Sequence, residues 1–102
     1  MAVVKLIEVS RKADVVRNSQ RVGRYTLREV FINPEHVVCL REDPATLELL
    51  HEGQLPDGID ARQRFTRVQM NRGSAGLDIV VVGCPSVVED ILQTKDIRLI
   101  KG

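Results

Sequence analysis

"MNRGSAGLDIVVVG", residues 70–83, reads as two strand-like runs joined by an Arg-Gly turn. Upstream of the turn the residues alternate: Thr66, Val68 and Met70 share one face of a strand over 64–70, while Phe65, Arg67 and Gln69 share the other. Downstream, residues 77–82 are apolar after Asp78, as suits a central strand or one buried at a subunit contact. Gly73 and Gly76 permit positive φ where the chain reverses. The stretch is therefore a β-hairpin, and its apolar second arm requires more chain to cover it.

That cover is sought on both sides. Residues 3–9 are β-branched and apolar, a first strand, and "SRKADVVRNSQRVG" (10–23) follows as a long turn or ragged hairpin. Residues 25–32 resume an extended pattern, with Tyr25, Leu27 and Phe31 on one parity and Val30 and Ile32 on the other. Asn33-Pro34 must stop that strand, because proline fixes φ and cannot donate to a ladder; "HVVCLRE" then begins the next. "DPATLELLHEGQLPDGID" (43–60) interrupts the series. Asp43 can cap and Pro44 suits the first position of a short helix carrying Leu47 and Leu50, although a ragged continuation of the strand also fits. Its length between two strands marks an exposed insertion. The clearest helix is "CPSVVEDILQ": Ser86 and Glu89 fit a capping box, and Val87, Val88, Ile91 and Leu92 make an apolar stripe. "DIRLI" (96–100) is expected as a closing strand.

The 102 residues make one domain, 1–102, and a chain of this size buries roughly 60–70% of its unfolded surface without cross-links. Five or six short strands with one helix are too few for two full sheets. The fold class is accordingly mainly β: a small, strongly bent five- to six-stranded antiparallel barrel with one short C-terminal helix and a long inserted loop. The three aromatic rings, Tyr25, Phe31 and Phe65, are expected in its core. No apolar run approaches the roughly 18 residues of a spanning helix, and "MAVVKLIEVS" lacks the layout of a signal peptide. No membrane partner is expected, and the location is read as cytoplasmic.

Cys39 and Cys84 sit among valines and read as buried free thiols. His36 and Cys39 have H-x-x-C spacing, but no second ligand pair follows, so neither a metal nor another cofactor is expected. The chain is not read as an enzyme. His36 and His51 are its only histidines, Glu35 would face away from His36 on a strand, and no G-x-S-x-G or phosphate-loop pattern occurs.

Charge is balanced in total but not in place. Residues 10–28 hold six basic residues against Asp14, and residues 61–72 add Arg62, Arg64, Arg67 and Arg72 with no acid. Between them, residues 42–60 carry six acids and no Lys or Arg. If the basic segments share a surface they focus a positive field suited to phosphates. If instead they pair with the acidic segment, in the same chain or a neighbour, the surface is merely solvated.

The strand-Asn-Arg-Gly-strand hairpin resembles the second sequence motif of the Sm-like family of RNA-binding small barrels, with Arg72 and Gly73 matching the pair at its tip. Over about residues 30–95, "FINPEHVVCL" and "VVVGCPSVVEDI" look like the pattern of flagellar small-barrel proteins and of small phage-type proteins with Sm-like architecture. The chain departs from the family where "INPEHV" lacks the usual aspartate and where the helix comes late rather than first. The resemblance implies a homo-oligomeric ring of about five to seven subunits, formed by edge-strand pairing, that binds single-stranded RNA or DNA. Arg72, Gly73 and Asn71 would form the binding tip, Asn33 and His36 would meet base edges, and Arg67 and Arg64 would guide the backbone. The alternative is a self-assembling scaffold or protein-interaction module that binds no nucleic acid.

Overall fold

The computed structural model describes residues 3–17, 20–72 and 75–101, with side chains over 3–11, 25–71 and 76–93. Among these, five strands form one antiparallel sheet: β1 (Val4–Arg17), β2 (Gln20–Ile32), β3 (Val37–Glu42), β4 (Phe65–Arg72) and β5 (Ala75–Val82), in the order β2-β1-β5-β4-β3. Helix α1 (Pro44–His51) lies between β3 and β4, α2 (Pro85–Lys101) follows β5, and a single 3-10 turn (Pro34–His36) links β2 to β3. The fold is mainly β, as the sequence suggests. The sheet is open, however, because its edge strands β2 and β3 meet only through the Asn33–His36 corner and not through a ladder.

The Asn-Arg-Gly hairpin is β4–β5, paired from Phe65 opposite Val82 to Arg72 opposite Ala75. Gly76 therefore sits in the strand opposite Asn71 rather than in the turn. β5 is the middle strand, as its apolar composition requires. The core lies on one face of the sheet, where Val4, Leu6, Ile32, Val68, Met70, Ile79 and Val81 meet Val88 and Leu92 of α2. Burial of such side chains supplies about 1.5–3 kcal/mol each, which is why strand parity is fixed here.

Several expectations are corrected. Of the two readings of residues 10–23, long turn or ragged hairpin, the hairpin is the one observed: β1 and β2 remain paired from Val4 opposite Ile32 out to Arg17 opposite Gln20, with a bulge between Lys12 and Val15. Valines 15, 16 and 22 are strand formers, and pairing overrides the polar punctuation around them. Phe31 is 62% exposed because Val30 and Ile32 take the inward parity, whereas Phe65 is fully buried. The 43–60 excursion is more than an exposed loop. Its Asp43, Thr46 and Leu55 are buried, and α1 packs on β4. Residues 96–100 continue α2 rather than closing the sheet, since no glycine or proline interrupts the helix after Pro85.

The entry into α2 also differs from the capping box. Pro85 is the first helical residue, so Cys84 stands at the cap and its carbonyl accepts from Val88 N–H at 3.0 Å. Gly83, at φ 119°, makes the sharp bend before it. Thr66 Oγ1 donates to the Gly83 carbonyl at 2.7 Å, and Gly83 N–H donates to the Arg64 carbonyl at 2.9 Å. Cys39 and Cys84 are free but only half-buried.

Candidate nucleic-acid interface

The seven residues singled out by sequence fall into two groups at opposite ends of β4. Val37 pairs with Met70 at the end of the β3–β4 ladder, so the Asn33–His36 corner leads into the strand where Asn71 follows Met70. The Asn71–Arg72 end of the hairpin stands there too, opposite Gly76 and Ala75. The Arg72 side chain and Gly73 lie outside the described residues. Arg67 is five residues back along β4, a strand distance of about 16 Å, and Arg64 precedes the strand.

Local chemistry builds the corner. Pro34 sets the first position of the 3-10 turn, and Asn33 caps it by accepting Glu35 N–H at Oδ1, 2.9 Å away. His36 N–H donates to the Asn33 carbonyl at 3.0 Å. With Oδ1 engaged in the cap, Asn33 has its amide NH2 to offer a ligand acceptor. The His36 ring is exposed. Both residues line a groove of about 500 Å³, together with Phe31, Met70 and Leu77. Arg28 is also there; its Nε donates to Glu8 at 3.0 Å while the side chain stays 63% exposed.

Sequence reading missed Phe31, Leu77 and Arg28 as members of this groove. The parity of Val30 and Ile32 carried a signal for Phe31, since an inward pair of that parity leaves its neighbour outward. Nothing local distinguished Leu77, 51% exposed at the open end of β5, from the buried residues after it.

The other end of β4 is electrostatically closed. Arg64 Nε donates to Glu42 at 2.6 Å and its Nη2 engages the second carboxylate oxygen, a two-point contact. Those hydrogen bonds hold the Glu42 carboxyl below its ordinary range and push Arg64 up. Arg67 Nη2 donates to Asp43 at 3.3 Å, and its Nη1 lies 3.8 Å from Asp78. Arg62 pairs with Asp60, which is also lowered by that contact. The arginines of 62–67 thus meet carboxylates of their own chain, mostly from the acidic segment.

The remaining polar chemistry is sparse. Cys84 lines an open cleft with Arg62 and Arg64, and its thiol is lowered by the Ser86 hydroxyl and then by the Val87 N–H of the helix start. Cys39 Sγ donates to Gln69 Oε1 at 3.0 Å. Among the described residues there is no cluster of three His, Cys, Asp or Glu side chains able to hold a metal, and no helix long and apolar enough to cross a membrane. No family model, curated protein or solved structure matches the chain.

Proposed function

We propose that this chain is an Sm-like, ring-forming protein that binds single-stranded nucleic acid, RNA foremost, in a cytoplasmic setting. In this reading the open sheet is one segment of a small-barrel wall, and edge strands of neighbouring subunits complete it. The observation that carries the proposal is the convergence of Asn33, His36 and Asn71 beside the groove floored by Met70 and Leu77, at the same end of the sheet as the Arg72 tip. A base entering there would meet amide and imidazole donors and the exposed Phe31 ring, and Arg72 would attract the phosphates. Arg64 and Arg67 drop out of the interface, because their guanidinium groups already face carboxylates.

The test is fluorescence anisotropy with labelled single-stranded homopolymers across a salt series, beside a sizing measurement. Retention should weaken steeply as salt rises, Arg72→Ala should lower the log–log salt slope by roughly 0.7 per site contacted, and Arg64→Ala should leave it unchanged. A monomer that retains no oligonucleotide at low salt sinks the reading.

One observation favours the scaffold alternative. The edge strands carry Phe31 and Val38, 62% and 61% exposed, while the 62–67 arginines are neutralised internally. A ring that forms but retains no oligonucleotide would select it.

A further inference from the structure

We propose that the groove reads two successive bases of a bound single strand, and that its end at Glu8, remote from the Asn33–His36 corner, selects guanine. The inference rests on the single-strand reading above and deepens it. Glu8 lines the same groove as Asn33 and His36, but it stands on β1. Its register partner on β2 is Arg28, five residues before Asn33 in the chain. Five strand residues at about 3.3 Å each set the two ends roughly 16 Å apart, so one base cannot touch both.

The carboxylate at this end is held in place. Arg28 Nε donates to Glu8 Oε1 at 3.0 Å, and the Glu8 side chain is only 12% exposed. A carboxylate bonded to a guanidinium is an acceptor-only group with about four lone-pair sites on its two oxygens, so the contact from Arg28 leaves acceptor capacity for a ligand. Val30, Ile79 and Leu77 line the groove with apolar surface, as a flat neutral ring requires.

The base edges then discriminate. Guanine presents two adjacent donors, N1–H and the N2 amine, which match the two oxygens of one carboxylate. Adenine and cytosine each set an acceptor nitrogen beside their amine, and uracil sets its one N–H between two carbonyls, so all three bring a lone pair against Glu8. In a part-buried site water does not repair that mismatch, which is why a polar group rejects the wrong partner strongly. A cation is the competing ligand, because a guanidinium or ammonium also offers donors alone. Glu8 already shares its charge with Arg28, however, and a second cation would face that guanidinium; guanine brings the same donors without net charge.

The experiment titrates the full chain with labelled uridine hexanucleotides that differ at one internal position, which holds guanine, adenine, cytosine, uracil or hypoxanthine. All carry the same phosphates, so the salt-dependent part of binding cancels and the ratio reports the base. The guanine strand should bind about 5- to 150-fold more tightly than the adenine, cytosine and uracil strands. Hypoxanthine, which keeps N1–H but lacks the N2 amine, should fall between. Glu8→Gln, which replaces one oxygen by an NH2 donor, should erase the guanine preference. If far-UV circular dichroism shows that variant unfolded, the guanine-to-hypoxanthine ratio on the parent protein decides alone. Equal affinity for all five strands, or a guanine preference that survives in folded Glu8→Gln, overturns the inference and leaves the single-strand reading standing. Retention of no strand overturns both. Displacement of the probe by N-acetyl-arginine amide at lower concentration than by guanosine monophosphate also overturns the inference, because it assigns the carboxylate to a cationic partner.

Discussion

At the start of β4, Arg62 meets Asp60, Arg64 meets Glu42, and Arg67 meets Asp43 and Asp78. On the β1–β2 ribbon the register sets Lys12 against Arg24, with Asp14 the one acid in residues 11–24. Both segments read alike as arginine-rich sequence, yet at β4 the carboxylates come from a segment distant in the chain, whereas the register of β1 and β2 sets two basic residues at directly opposed positions. The difference teaches that an arginine-rich stretch keeps the field its sequence suggests only as far as folding leaves its counter-charges elsewhere, and at β4 folding brings them in. The acidic 42–60 segment is folded back by α1 onto β4, so its carboxylates serve the nearer arginines.

The comparison breaks most visibly at Arg67. Its partner Asp43 has a side chain only 8% exposed, held also by Thr46 Oγ1 at 2.5 Å. Arg67→Ala should therefore destabilise the fold by about 1–3 kcal/mol in urea unfolding, the cost of leaving a buried polar group short of a partner. Asp43→Asn in the same background should recover part of it. An unchanged midpoint would mean that the pair is ornamental.

A smaller effect of opposite sign belongs to the ribbon. Arg24→Glu sets opposite charges at the directly opposed positions 12 and 24 and should raise stability by about 0.5 kcal/mol in urea unfolding. A loss of stability would contradict the cross-strand pairing at that position.

The mildest test is a titration. Hydrogen bonds from Arg64 hold the folded Glu42 carboxyl below 4.5, so the stability it contributes is fully present above that ordinary value and is lost as pH falls through the folded one. Carboxyl-carbon NMR should show Glu42 titrating below 4.5, and Arg64→Ala should move the midpoint back up. Both groups are exposed, so high salt should shrink the difference.

Much of the fold was legible because its signals are short-range. Alternation over 64–70 placed Thr66, Val68 and Met70 inward, Asp43-Pro44 marked the start of α1, and Asn33-Pro34 marked the corner. Where local signals competed, they misled. Polar residues around Val15 and Val22 left turn and hairpin undecided, and the β-branched Ile97 and Ile100 hid the continuation of α2. Ser86 looked like a cap by composition, but Pro85 had already taken the first helical position and left the cap to Cys84. Of the candidate site, the Asn33 and His36 corner followed from turn chemistry, whereas their meeting with Phe31, Arg28 and Leu77 needed β2 and β5 to converge.

The sequence by itself determined the central hairpin, the face that Thr66, Val68 and Met70 share on β4 and the positions of proline-led turns, because hydrophobic period and backbone restriction act over a few residues. Tertiary structure alone decided which arginines are neutralised, which face of β2 exposes Phe31, and that the sheet stays open at β2 and β3. Those outcomes join residues far apart in the chain, as Arg64 and Glu42 are by 22 positions, and only the folded arrangement sets which charges and faces meet.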